Sequence, residues 1–344
     1  MNDQSQLDLN PKHPEPRLAP IRVAGRWLRP SPVFDTYWRF AFARQNLYLS
    51  RIRDCSKPWS TDPVLQKFRF TNVYRATDRV TQYLISKVQY RDGAPQSADE
   101  IVFRTLLFKT FNRISTWEQL EGELGEITWA NFRFDHYEAA LRKASSLGPI
   151  YSAAYMMPPP KFGEAKKYRN HLRLLELMMA DGLPGVISKA KSLQQVFADL
   201  VRYQSIGPFL AYQYAIDLNY SPVLELDENE FVVAGPGAKD GIRKCFGKDS
   251  AGIESEIIEY MVTHQENHFQ RLSLDFESLN GRPIHLIDAQ NVFCEVDKYS
   301  RVAHPEISGI SGRSRIKQRF EPSGQVDVPV FPPKWNLASG NDWI

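Results

Sequence analysis

The 344-residue chain has only three cysteines, Cys55, Cys245 and Cys294, and no two of them form a C-x-x-C pair. Neither a zinc knuckle nor a four-cysteine iron–sulfur cluster can be built from them. Isolated thiols of this kind are expected to be buried structural residues in a reducing, cytoplasmic protein. Long apolar runs are also missing: stretches such as Ile101–Phe103 and Leu106–Phe108 are far short of a membrane span. The opening MNDQSQLDLNPKHPEP lacks the apolar core of a secretion signal, so none is expected. No G-x-x-x-x-G-K-S/T phosphate loop occurs, and Gly163–Lys167 does not make one, so ATP-dependent chemistry has no visible site. His264-Gln-Glu-Asn-His268 has two histidines one helical turn apart, but Gln265 stands where a zinc-protease helix needs glutamate. No metal and no cofactor are therefore expected. An excess of one charge is absent too, since 43 Lys+Arg face 40 Asp+Glu for a net charge of +3.

What is present is an ordinary globular composition, 42% apolar and 24% charged, which excludes a disordered or collagenous chain. Charge is distributed unevenly. Residues 1–30 hold five prolines and, in their second half, Arg17, Arg22, Arg26 and Arg29, which reads as an extended basic arm. Residues 311–344 form a second basic, proline-rich tail with Arg313, Arg315, Lys317 and Arg319. In its closing VDVPVFPPKW, Phe331 and Trp335 can pin it to the body. Between them, 31–310 is dominated by helical periodicity. Phe34, Trp38, Ala41, Tyr48 and Ile52 form one stripe, with Arg44, Arg51 and Arg53 among the polar positions. Residues 99–112 predict a buried helix, and Leu193, Val196, Phe197, Leu200 and Val201 predict another. A third is marked by Ile257, Ile258, Met261, Phe269 and Leu272. Strand-like runs are few (Lys87–Tyr90, Phe231–Ala234, His285–Ile287) and do not alternate with helices, so the fold class is mainly α.

Three segments could carry chemistry. In Val233–Phe246, Gly235 and Gly237 precede a short helix predicted to end at Gly247. Glycines there permit close backbone approach, and the helix-start amides, Ala238 included, can face a phosphate beside Lys239 and Lys244. This resembles the helix-hairpin-helix element of DNA repair enzymes; the alternative is a tight turn between packed helices. In His285–Arg301, Asp288 stands at a helix entry with Gln290 after it, and Asn291, Glu295 and Lys298 share one helical face. Capping is the competing role for Asp288. In helix-hairpin-helix glycosylases the catalytic aspartate stands at such an entry, and Ile287-Asp-Ala-Gln-Asn291 is similar to it, with a helix inserted over 254–274. In Lys57–Leu84, Arg75, Asp78, Arg79 and Gln82 have the spacing of one helix face, with Asn72 a turn earlier. Such a wall can hydrogen-bond an extruded base, or form a structural ion-pair network. Tyr151–Met157 and Tyr212-Gln-Tyr214 read as core or pocket wall.

Pro58-Trp59-Ser-Thr-Asp62, Phe70-Thr-Asn-Val-Tyr-Arg75 with Asp78-Arg79, Gly207-Pro-Phe-Leu-Ala-Tyr-Gln213, and Asp288-Ala-Gln-Asn with Cys294-Glu and Asp297-Lys-Tyr299 follow in that order. Over about 33–305 this set resembles the α-glutamyl/putrescinyl thymine pyrophosphorylase family. The helical domain of that family also accompanies hydroxymethyluracil DNA kinases, and the family is regarded as an offshoot of helix-hairpin-helix DNA glycosylases. The resemblance implies a bilobal, glycosylase-like helical fold and double-stranded DNA with modified bases as partner. Some relatives install an amine on an activated hydroxymethyl pyrimidine. Others are similar to a bacterial antiphage glycosylase that removes glucosylated hydroxymethylcytosine. The expectation is a monomeric, monofunctional DNA glycosylase that releases a bulky modified pyrimidine and leaves abasic sites. Asp288, Asn291 and Glu295 would be catalytic. Asn72, Arg75, Asp78, Arg79, Gln82, Gln290 and Lys298 would line the base pocket. Gly235, Gly237, Ala238, Lys239, Lys244, Arg313, Arg315 and Lys317 would hold DNA. The alternatives are a transferase that replaces an activated 5-hydroxymethyl substituent with an amine, needing a separate kinase, and a non-enzymatic DNA reader.

Overall fold

A computed structural model describes residues 18–54, 56, 59–321 and 326–337. Residues 1–17 of the basic arm, Cys55, Lys57 and Pro58, and parts of the C-terminal tail lie outside the described residues. In chain order the hairpin β1 (Ile21–Val23) and β2 (Arg26–Leu28) leads into α1 (Pro32–Arg53), α2 (Pro63–Lys67), α3 (Arg79–Tyr83), α4 (Ala98–Phe111) and α5 (Ile114–Leu124). Then follow α6 (Phe134–Leu147), α7 (Lys167–Ala180), α8 (Leu183–Ile187), α9 (Leu193–Val201) and α10 (Pro208–Tyr220). The series closes with α11 (Pro236–Phe246), α12 (Glu254–Thr263), α13 (Gln265–Arg271) and α14 (Leu286–Ala303). The protein is mainly helical. Among the described residues no helix is long and apolar enough to cross a membrane.

These residues divide into two compact units, one built from the chain up to Asp78 and Val232–Pro329, the other from Arg79–Phe231 and Val330–Leu337. In the first unit, Ser31 caps α1 by accepting from the Val33 amide at 3.1 Å, and Pro32 occupies the first turn. The predicted stripe Phe34, Trp38, Ala41, Tyr48 and Ile52 is buried, and so is Arg44, which the periodicity placed among the polar positions. Helix α1 packs on α11 and α14 through Phe34–Phe246 and Tyr37–Phe293 ring contacts at 5.3 and 4.6 Å. The helix expected over 254–274 is two, α12 and α13, broken at His264. The described half of the N-terminal arm is not extended throughout. Ala24 and Gly25 both take positive φ and turn the chain into the hairpin. Such a turn matches the twist of paired strands. Buried Val23 and Leu28, with Arg26 donating to the Ala251 carbonyl at 2.7 Å, pin the hairpin to the unit.

In the second unit α4 is buried around its whole circumference, Arg104 and Lys109 included, and ends on Asn112 in the left-handed region. The strand-like Lys87–Tyr90 is instead the end of a π-helical turn, Leu84–Gln89, which packs on α4. The C-terminal strap is pinned as Phe331 and Trp335 suggested. Phe331 is buried, Trp335 meets the Tyr220 ring at 5.5 Å, and Lys334 donates to the carbonyls of Asn219, Ser221 and Leu224.

Candidate functional site

Within the first unit, α14 presents Asp288, Asn291 and Glu295 on one face, and all three hold the segment 70–78. Asp288 accepts from the Arg75 amide at 2.8 Å and from the His285 amide at 3.2 Å, the second bond closing a capping box with His285. Asn291 donates to the Asn72 carbonyl at 3.0 Å and to the Thr71 hydroxyl at 3.1 Å. Glu295 accepts from the Thr71 amide at 3.0 Å and pairs with Lys298 at 2.7 Å. The Lys298 ammonium lies 4.8 Å from the centre of the Phe70 ring. From α1, Arg44 donates to the Thr71 carbonyl at 3.0 Å and to the Asn72 side-chain oxygen. The Asn72 amide then donates to Asp78 at 2.9 Å, and its side chain to the Thr77 carbonyl at 2.9 Å.

The result is a dense polar cluster with its most accessible acid at one end. Asp288, Asn291, Glu295, Arg75 and Asn72 are buried, whereas Asp78 is half-buried and accepts no hydrogen bond at its second oxygen among the described residues. Desolvation pushes the Asp78 carboxyl up to about 6, against the pull of the Asn72 amide and Arg44. Burial likewise draws Arg44 down to about 10, opposed by the attraction of Asp78. A carboxyl titrating near neutrality beside an arginine can take a proton or receive a base-edge donor. Arg44 and Thr71 are members of this cluster that sequence reasoning missed. The available signal for Arg44 was its place three residues after Ala41 and four before Tyr48, inside the apolar stripe.

Other expected site residues are distributed differently. The run from Asn72 to Gln82 is not one helix: a 3-10 turn at Arg75–Thr77 is followed by extended backbone at Asp78, and only then by α3. Asn72, Arg75 and Asp78 therefore belong to the first unit, Arg79 and Gln82 to the second. Gln82 exchanges two hydrogen bonds with the Val330 backbone, at 2.8 and 3.1 Å, and so clamps the C-terminal strap. Arg79 is exposed. Gln290 sits on another face of α14, with its amide 3.4 Å from the Cys294 sulfur.

The glycine segment is also corrected. Helix α10 ends at Tyr220, long before α11 begins, and the two belong to different units. Gly235 is the N-cap of α11 with an ordinary φ of −71°. Gly237 and Gly241 let α11 lie against α14: a Cβ would fall 3.1 Å from the Cys294 sulfur at the first and 2.1 Å from the Phe293 carbonyl at the second. The Ala238 amide bonds Cys294, so it does not await a phosphate. Lys244 is buried, 3.0 Å from Asp297, and donates to the Asp297 carbonyl at 2.9 Å. Only Lys239 of this group is exposed, while Arg313, Arg315 and Lys317 are all exposed on the tail. Burial raises the Cys245 and Cys294 thiols well above their usual range, which suits structural residues.

The second unit holds a polar centre that no sequence signal marked. Lys109 and Asp217 are paired at 3.1 Å with almost no exposure. Asn112 accepts from Lys109 at 2.8 Å, and Gln89 of the π-helical turn donates to the Asp217 carbonyl at 2.7 Å. Among the described residues no group of three or more His, Cys, Asp or Glu side chains could hold a metal ion.

Residues 31–309 match the family model described as 5-hmdU DNA kinase, helical domain. A 5-hmdU DNA kinase of Bacillus phage SP10 is 28% identical over 290 residues, covering 78% of this chain and 45% of that protein. The chain thus spans less than half the length of this curated relative. No solved structure matches. These matches overturn the glycosylase expectation, because a kinase is a transferase and not a hydrolase of N-glycosidic bonds.

Proposed function

The chain belongs to the family of 5-hmdU DNA kinase helical domains, and from that membership we propose that it serves group transfer at the 5-hydroxymethyl position of DNA pyrimidines. The family match over most of the chain carries this reading. In the reaction we assign to it, an amine nitrogen bonds to the exocyclic CH2 carbon of a phosphate-activated base. The carbon–oxygen bond breaks with its electron pair on the departing phosphate, and the amine loses a proton. The glycosidic bond survives. Asp78 would accept the proton, since its carboxyl is half-buried and poised near neutrality; Arg44 and the Asn291–Glu295 face would keep it in place. No phosphate loop occurs in these 344 residues, so the phosphoryl-donor step is assigned outside them.

The test is nucleoside mass spectrometry after incubating the protein with an amine and DNA whose 5-hydroxymethyl pyrimidines carry a phosphate. An amine-bearing nucleoside with no free base is expected. Release of free base, or unchanged nucleosides, would refute the reading. Phosphate passing from ATP to hydroxymethyl DNA with this chain alone would place the kinase step here instead.

A further inference from the structure

The C-terminal segment after α14 is held at three places in the first unit. The Ser311 amide donates to Asp240 at 2.7 Å, Arg301 donates to the Arg315 carbonyl at 3.0 Å, and the stretch 318–320 pairs with 67–69. That pairing is antiparallel, with Phe68 opposite Arg319, the Arg69 amide donating to the Gln318 carbonyl and the Phe320 amide to the Lys67 carbonyl, both at 3.1 Å. Side chains of such a pair lie close, and the Arg319 guanidinium is 5.3 Å from the Phe68 ring centre. Along this braced backbone the cations recur at every second residue: Arg313, Arg315, Lys317 and Arg319. Where the backbone is extended, as in the 318–320 pairing, alternate residues share a face, about 6.6 Å apart. All four are exposed, none makes an ion pair among the described residues, and no carboxylate stands between Glu306 and Glu321. Lys67 and Arg69, on the paired stretch, are exposed too. Exposed cations elsewhere in the molecule are often neutralised, as in Arg53–Glu277 and Lys143–Glu123. Fixing a backbone while leaving a regular row of unpaired cations on it suits a partner with regularly spaced negative charge.

We propose that residues 313–319, braced against 67–69, form a rail that tracks the phosphates of one DNA strand, with Lys67 and Arg69 widening it. Two features separate the rail from a flexible basic tail: its anchoring, and a two-residue repeat close to the spacing of neighbouring phosphates. This rests on DNA being the substrate, as proposed above, and adds which surface meets the backbone.

The test is fluorescence anisotropy of the full chain on unmodified duplex DNA over a range of salt concentrations. Replacing Arg313, Arg315, Lys317 and Arg319 together by glutamine should make the slope of log affinity against log salt shallower by about 3 to 4, and each single replacement by about 0.9. Single replacements of Arg313, Arg315 and Lys317 should leave thermal unfolding unchanged, since these side chains are exposed, whereas Arg319→Gln also gives up the Phe68 ring contact. An unchanged slope in the fourfold variant would overturn the rail, as would tighter binding of RNA of the same sequence at every salt concentration. Because unmodified DNA is used, a rail that binds while no amine-bearing nucleoside forms refutes only the transfer chemistry. Product formation with an unchanged slope refutes only the rail.

Discussion

Replacing Lys244 by methionine separates two readings of a residue that the sequence placed at a DNA phosphate. In the structure its ammonium contacts both the carboxylate and the carbonyl of Asp297, at 3.0 and 2.9 Å, and each side chain is 2% exposed. Breaking a buried pair leaves an uncompensated charge and costs about 3–5 kcal/mol. Asp297 keeps a second partner, Arg301 at 2.5 Å, so the lower end, about 3 kcal/mol, applies. With a urea dependence of about 1–3 kcal/mol per molar, the unfolding midpoint should fall by roughly 1 to 3 M. Circular dichroism during urea unfolding measures this, with DNA anisotropy in parallel. A phosphate-binding lysine would instead leave the midpoint unmoved and make the salt slope shallower by about 0.9. That second pattern would refute the structural assignment.

Gly241→Ala should destabilise the first unit by on the order of 3 kcal/mol, because its Cβ would meet the Phe293 carbonyl at 2.1 Å and α11 would have to move off α14. The same change at exposed Gly122, in the last turn of α5 with nothing within 4 Å, should stabilise by about 0.5 kcal/mol; equal thermal shifts for the two variants would contradict this. The Asp78 carboxyl titrates higher in the folded protein, about 6, than its ordinary 3.8, so its contribution to stability is greatest below about 4 and is lost as pH rises to about 6. The loss is about 3 kcal/mol, and Asp78→Asn should remove it; urea midpoints across that pH window measure the difference. Lys109→Met should cost about 3–5 kcal/mol by stranding Asp217, and the double variant with Asp217→Leu should recover most of it. A double variant no better than the single one in thermal unfolding would count against this.

Much of the helical framework was legible because its signals are local. The stripe from Phe34 to Ile52, the apolar clusters in α4 and the glycine after α11 each need only a few neighbouring residues to be read. The site was legible in part. Asn291, Glu295 and Lys298 do share a face, and Asn72, Arg75 and Asp78 do come to it. The continuous wall to Gln82 failed because helical spacing presumes a continuous helix, and extended backbone at Asp78 interrupts it.

By its own periodicity and motifs the sequence determined a mainly α chain, the position of several helices, membership of a DNA-modifying family and the alternating cations of the tail. Tertiary structure alone decided what Asp288, Lys244 and the glycines do. A carboxylate at a helix start, a lysine near glycines and a glycine in a helix look the same whether they meet a ligand or another part of the chain. Which partner arrives depends on segments more than fifty residues away: Arg75 at Asp288, Asp297 at Lys244 and Cys294 at Gly237. Long-range packing carries no local signature, and here it turned three expected ligand contacts into the joints that hold the first unit together.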